Sequence, residues 1–188
     1  MKKEKISTII PCFNEEEVLP LFYEEINRVS KKMDYVDFEI LFINDGSNDN
    51  TLNIIRDLSK KDKRVRYLSF SRNYGKESAM FAGFNNITGD YVAVLDSDLQ
   101  DPPEFTRKGL TKIWYKINTK LSGNREKPGT RDYRLMKRKV VDSIISMKEV
   151  NRYTRGLYSY VGYKIKWIEI DLPNRKTGTS KYPLKKLF

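Results

Sequence analysis

The stretch DYVAVLDSDLQDPPE (90–104) decides how the chain is read. Residues 90–95 are a short apolar run of the kind that forms a buried strand, and the run breaks off into three aspartates, a glutamine, two prolines and a glutamate. Acids are costly to bring near a core unless a cation or donor meets them. Asp101-Pro102-Pro103-Glu104 is explained as a helix start, with an aspartate N-cap, proline at the first helical position and glutamate at the third. Asp96, Asp98 and Gln100 have no such structural task. In an extended chain their i, i+2, i+4 spacing projects all three to one side. Two carboxylates and an amide oxygen make an oxygen-rich half-shell for a divalent cation. Solvated turn aspartates at a strand end are the competing reading, and spacing alone divides the two evenly.

Upstream of this stretch, strand-like and helix-like patterns alternate. KISTII (5–10), FEILFI (38–43) and VRYLSF (65–70) read as strands. EEEVLPLFYEEINRVSKK (15–32), TLNIIRDLSKK (51–61) and GKESAMFAGFNNI (75–87) read as helices, and Pro20 sets the start of regular helix in the first of them near Leu19. Short strands separated by helices of this length require crossover connections. The expected fold is therefore a single α/β domain, a mostly parallel sheet flanked by helices. Ligands of such sheets bind beyond the carboxyl ends of the strands. Four polar clusters fall there: Pro11-Cys12-Phe13-Asn14-Glu15, Asn44-Asp45-Gly46-Ser47, Ser71-Arg72-Asn73-Tyr74-Gly75 and Asp96-Ser97-Asp98.

Within these clusters, Gly46 suits a tight turn and Asp49 or Thr51 suits the cap of the second helix. Asp45 is either a turn-stabilising aspartate or an acceptor for a nucleoside; taken alone, the turn role is the stronger reading. Gly75-Lys76 lacks the earlier glycine of a Walker phosphate loop. Ala79 and Gly83 let the third helix pack close to the sheet.

Composition narrows the chemistry. The chain has 188 residues, no histidine and one cysteine, Cys12. Imidazole bases and histidine-ligated zinc are excluded, so a metal would need oxygen ligands, which points to Mg2+ or Mn2+. A lone cysteine suits a reducing compartment. No stretch resembles a signal peptide or approaches the ~20 apolar residues of a membrane span.

The net charge of +11 is unevenly placed: residues 1–104 carry 14 Lys+Arg against 19 Asp+Glu, and residues 105–188 carry 22 against 6. A basic half of this kind meets nucleic acid, an anionic membrane surface or a phosphorylated substrate. The patterns there are weaker. Residues 105–118 and 137–147 look helical, 119–130 looks like a polar loop, and 163–171 is strand-like. Arg131 and Arg134 near Gly129, and Arg175 and Lys181 with Ser180 around Gly178, put cations in glycine-containing loops that could approach an anion closely, the competing reading being an ordinary solvated face.

Taken together, Pro11-Cys12-Phe13-Asn14-Glu15-Glu16, Asn44-Asp45-Gly46-Ser47, Ser71-Arg72-Asn73-x-Gly75-Lys76, Asp96-Ser97-Asp98-Leu99-Gln100-Asp101-Pro102-Pro103-Glu104, Tyr133-Arg134-Leu135-Met136 and Arg175-x-x-Gly178-x-Ser180-Lys181-Tyr182 resemble glycosyltransferase family 2, and within it the polyprenyl-phosphate sugar synthases. The resemblance spans residues 6–188. It implies a GT-A fold, a Rossmann-like nucleotide half (1–104) joined to a basic acceptor half (105–188) in one domain. It also implies metal-dependent, inverting transfer of a sugar from a nucleotide diphosphate to a polyprenyl phosphate of undecaprenyl or dolichyl type. Asp45 would contact the nucleoside, with Pro11, Asn14, Glu15, Lys76, Asp96 and Ser97 also around the donor. Asp96, Asp98 and Gln100 would hold Mg2+ or Mn2+. Asp132 would be the candidate base, and Arg131, Arg134, Arg175, Ser180 and Lys181 would contact the acceptor phosphate.

The expected partners are a nucleotide sugar, the lipid phosphate and the anionic cytoplasmic face of a membrane, and not nucleic acid; a homo-oligomer is left open. Two departures stand out. The interval 105–128 is shorter than in relatives, and the chain stops where relatives of the lipid branch often continue into membrane helices. The expectation is a catalytic part of a longer, membrane-anchored enzyme. A transferase acting on a soluble or cell-wall glycan is the alternative within the family, and a nucleic-acid-binding module is the alternative outside it.

Overall fold

In the computed structural model, residues 3–97, 134–147, 149 and 153–166 are described. Their order is β1 (Lys5–Cys12), α1 (Leu19–Lys32), β2 (Asp37–Asn44), α2 (Thr51–Lys61), β3 (Val65–Ser69), α3 (Lys76–Asn86), β4 (Tyr91–Val94), β5 (Arg134–Lys137), α4 (Arg138–Ser146) and α5 (Thr154–Tyr160). The strands form one sheet in the order β3-β2-β1-β4-β5. β1 to β4 run parallel, and β5 is antiparallel to β4. The mostly parallel α/β sheet expected from the alternation is present, with an antiparallel edge that sequence reading missed.

The sheet is buried on both faces, and its strands show why. Ile9, Leu41, Ile43, Val92 and Val94 turn to one side, where Ala79, Met80 and Phe84 of α3 and Val141 and Ile144 of α4 cover them. Ile10, Cys12, Ile40 and Phe42 alternate to the other side, against Leu19, Phe22 and Ile26 of α1 and Ile55 of α2. The period of two along each strand thus feeds two separate cores. At Gly83 a Cβ would lie 2.4 Å from Ile9 Cγ2. The expected close packing of α3 on the sheet therefore rests on this glycine.

Three local expectations need correction. Pro11 and Cys12 lie inside β1 rather than in the loop after it. Proline is tolerated in this central strand because its neighbour β4 stops pairing at Ile9↔Val94, before Pro11 is reached. The N-cap of α2 is Asn50, without a side-chain cap bond, although Asp49 Oδ1 accepts from Thr51 N at 3.0 Å. Tyr163–Lys166, read as the start of a strand, is not in one. Tyr163 docks instead on α4, its hydroxyl 3.0 Å from Ser143 Oγ and its ring under the Lys139 ammonium.

Beneath the sheet's amino end, Glu39 is a buried acid with full compensation. It accepts from Ser7 Oγ at 2.5 Å and Thr88 N at 2.9 Å, and it pairs with Arg66. Burial pushes its carboxyl up, but these donors outweigh burial and hold it below its ordinary value.

Candidate active site

The carboxyl ends of β1, β2, β3 and β4 meet along one edge, and their loops are laced together by backbone N–H groups donating to side chains. Asn14, in the left-handed region at φ 53°, donates its N–H to Ser47 Oγ at 3.0 Å. Its Oδ1 accepts from Asn48 N at 2.9 Å. Glu15 N donates to Thr51 Oγ1 at 2.8 Å, and Asn50 N to Glu16 Oε2 at 2.8 Å. Asp49 receives Glu16 N in addition to Thr51. Burial raises its pKa and these donors more than reverse that, leaving it lowered. The loops after β1 and β2 therefore hold each other in place.

Asp45 joins the third loop to the second. It is 4% exposed, and its two carboxylate oxygens accept from Tyr74 N at 2.7 Å and Gly75 N at 2.9 Å. Gly46, at φ +66°, lets the Arg72 backbone approach so closely that a Cβ would lie 2.2 Å from Arg72 C. Beyond this seam Arg72 lies over the half-exposed Tyr74 ring, 4.7 Å from its centroid. Hydrogen bonding to Arg72 and then Ser71 lowers the Tyr74 phenol below its ordinary pKa.

The fourth strand end closes the edge. Ser97, 4% exposed, donates its hydroxyl to Pro11 O at 3.1 Å. Asp96 Oδ1 lies 2.5 Å from Lys76 Nζ, the first residue of α3, with the two side chains 32% and 40% exposed. Because β5 runs antiparallel, its first residue, Arg134, pairs with Val94 and so reaches the same edge. The edge thus gathers Pro11, Asn14, Glu15, Asp45, Lys76, Asp96, Ser97 and Arg134 from five parts of the chain.

Asp98, Gln100, Arg131, Asp132, Arg175, Ser180 and Lys181 lie outside the described residues. Of the three expected metal ligands the described part contains Asp96 alone, and among the described residues no group of three His, Cys, Asp or Glu side chains could enclose a metal. Asp96 itself suits a hard cation: it is a carboxylate at a strand end, accessible and already attracting a positive charge. Sequence reading placed Ser47, Tyr74 and Gly75 in the strand-end clusters but missed their pairings with Asn14 and Asp45. It also missed Glu77, which accepts from Thr154 N at 2.9 Å and so ties α3 to α5. No local pattern marks these pairings, because each joins residues distant in sequence.

A parallel sheet carrying a donor-lined carboxyl edge and one antiparallel edge strand is the GT-A arrangement. It is shared with the crystal structure of glucosyl-3-phosphoglycerate synthase from Mycobacterium tuberculosis in complex with Mn2+, uridine-diphosphate-glucose and phosphoglyceric acid. That likeness has a TM-score of 0.52 at 22% identity, over 74% of this chain and 59% of that one. Residues 7–139 match the model of Glycosyl transferase family 2, and the chain belongs to that family.

Among curated proteins, the chain is 36% identical to the putative glycosyltransferase CsbB of Bacillus subtilis (strain 168), over all of this chain and 65% of that protein. It is 37% identical to the prophage bactoprenol glucosyl transferase homolog of Escherichia coli (strain K12), over 98% of this chain and 69% of that one. The chain thus spans about two thirds of the length of these relatives. The match to CsbB occupies 214 positions, more than the 188 residues available, so the relative carries insertions within the matched stretch.

Proposed function

We propose that this chain is the catalytic part of an inverting, divalent-metal-dependent glycosyltransferase that moves a sugar from a nucleotide diphosphate donor to a polyprenyl phosphate. The observation that carries the reading is the meeting of Asp45, the Lys76–Asp96 pair and Arg134 along one sheet edge. An acid seated beside the first two strand ends, a cation–carboxylate pair at the fourth and an arginine next to it form a row. That row suits, in order, a nucleoside, a diphosphate and a second phosphate. The relatives whose names specify bactoprenol support the lipid acceptor.

In this reading the acceptor phosphate oxygen attacks the anomeric carbon from the face opposite the diphosphate. One C–O bond forms as the other breaks, the nucleoside diphosphate leaves with the electron pair, and the configuration inverts. A phosphate monoester has its second pKa near ~6, so much of the acceptor is already a dianion at neutral pH. Asp132 then orients the acceptor more than it removes a proton. Lys76 places a positive charge where the departing diphosphate accumulates negative charge, and Asp45 fixes the loop against which the nucleoside rests. Asp96, Asp98 and Gln100 would hold Mg2+ or Mn2+, which supplies Lewis-acid neutralisation of the leaving group.

The basic second half would bring the domain to the anionic cytoplasmic leaflet, at about 1 kcal/mol per well-placed Lys or Arg. No helix among the described residues is long and apolar enough to cross a membrane.

The test is transfer from a panel of radiolabelled nucleotide sugars, with Mn2+, Mg2+ or a chelator, to undecaprenyl phosphate in detergent and to soluble oligosaccharides. Metal-dependent product on the lipid phosphate is expected. Efficient transfer to an oligosaccharide with none to the lipid would overturn the acceptor, and full activity in chelator would overturn the metal.

A further inference from the structure

Helix α5, which sequence reading missed, is fastened to the active edge at two points. At its start, Thr154, 2% exposed, gives both its N–H and its hydroxyl to the Glu77 carboxylate, with the N–H bond at 2.9 Å. Glu77 directly follows Lys76, the residue paired with Asp96. One turn on, the Tyr158 ring, 5% exposed, lies under the Arg134 guanidinium with Cζ 4.2 Å from the ring centroid. Arginine is held well by an aromatic face because its planar cation is weakly hydrated and stacks. A buried ring this close to Cζ restricts where the guanidinium can sit.

We propose that Tyr158 is a positioning residue that aims Arg134 at the acceptor phosphate, with the Glu77–Thr154 clasp setting where the ring sits. The proposal rests on the functional reading above, in which Arg134 meets the acceptor. It makes the orientation of the acceptor-side cation depend on α3, the helix that also carries Lys76 on the donor side. Tyr158 is buried and has no assigned role toward either substrate, so its effect should appear in acceptor handling and only through Arg134.

The experiment compares Tyr158→Leu, Tyr158→Phe, Arg134→Ala and the double variant Tyr158→Leu/Arg134→Ala in the full chain. It measures KM for undecaprenyl phosphate and, separately, nucleotide-sugar affinity by calorimetry. Loss of a desolvated cation–π contact should raise the acceptor KM of Tyr158→Leu about 3-fold to 30-fold. Tyr158→Phe, which keeps the ring, should match the parent chain. Donor affinity should stay unchanged throughout, and Tyr158→Leu should add nothing once Arg134 is gone.

Should Tyr158→Leu fail to fold, Tyr158→Met fills the volume without a ring and carries the same comparison. If Arg134→Ala raises the acceptor KM while the ring-less variants do not, the positioning role is overturned and the functional reading stands. If Arg134→Ala leaves the acceptor KM unchanged, the acceptor assignment of Arg134 falls, and the positioning role with it. Additive effects in the double variant would reduce Tyr158 to core packing.

Discussion

Substitution of Gly46 by alanine tests the seam between the loops after β2 and β3, on which the proposed nucleotide site depends. The glycine sits at φ +66°, a conformation that costs an L-residue about 1–2 kcal/mol. Its would-be Cβ lies 2.2 Å from Arg72 C, 2.6 Å from Arg72 Cα and 2.6 Å from Asn73 N. All three are backbone atoms, so no side-chain rotation relieves the clash. Ordinary contact begins near 3.4 Å, and the 71–75 loop must therefore retreat by about 1 Å. That retreat stretches the bonds from Tyr74 N and Gly75 N to Asp45, now 2.7 and 2.9 Å long. Each is worth roughly 1 kcal/mol. Alanine recovers about 0.4–1 kcal/mol by restricting the unfolded chain.

The net expectation is a loss of about 3 kcal/mol, or roughly 6–12 °C in Tm for a chain of this size. Gly162→Ala is the control, since Gly162 has φ +72° with nothing within 4 Å of its Cβ position. It should cost about 1 kcal/mol, the conformational penalty less the same gain from the restricted unfolded chain. Urea unfolding and calorimetric titration of nucleoside diphosphates would be run on both variants. Gly46→Ala should lose stability and donor affinity together, and Gly162→Ala should keep its donor affinity. Equal effects of the two substitutions on stability, or unchanged nucleotide binding in Gly46→Ala, would refute the seam as the support of the donor site.

The remaining predictions separate site from scaffold. Lys76→Ala should weaken binding of a nucleoside diphosphate about tenfold or more, the worth of a charge-assisted bond, and leave the bare nucleoside unaffected in the same titration. Equal losses for the two ligands would remove Lys76 from the diphosphate. Glu39→Ala should destabilise by about 3 kcal/mol, because Arg66, Ser7 and Thr88 lose their shared buried acceptor at the end of the sheet away from the site; nucleotide affinity of the folded fraction should persist.

Asp62, hydrogen-bonded by Arg64 against opposing burial, is lowered from 3.8 to about 2. Its stabilisation is fully present above the unfolded value near 3.8 and is lost as pH falls through about 2. Asp62→Asn should therefore cost about 1 kcal/mol at pH 6, the full shift being reduced by solvent around Arg64. The gap in Tm from the parent chain should close as pH approaches 2. A gap independent of pH would mean that the carboxylate's charge contributes nothing.

The first hundred residues were legible because each element there carries its own period. The strands are apolar runs bounded by polar ends, and α1 buries Leu19, Phe22 and Ile26 at helical spacing. The elements missed lack that signal. In β5 only Met136 is buried, so four residues hold no alternation to read, and the strand exists because β4 offers it an edge. In α5 Thr154, Leu157 and Tyr158 do share one face, but seven residues are too few to show a helical period, and Gly156 argues against a helix locally. Contacts with α3 and β5 override that preference.

The same division runs through the site. That acids and cations gather at the strand ends follows from chain order alone, since parallel strands bring their carboxyl ends together. How those groups are held does not, because Asp45 finds its donors 29 and 30 residues away. The two readings of Asp45 left open by the sequence need not compete. A carboxylate offers about four lone-pair sites, and the two N–H groups of the 71–75 loop occupy two of them. A residue already held by two backbone donors is oriented before any ligand arrives, so a nucleoside bound there would not bear the entropic cost of ordering it. The turn-stabilising role is in that sense the means by which Asp45 could recognise a nucleoside at all.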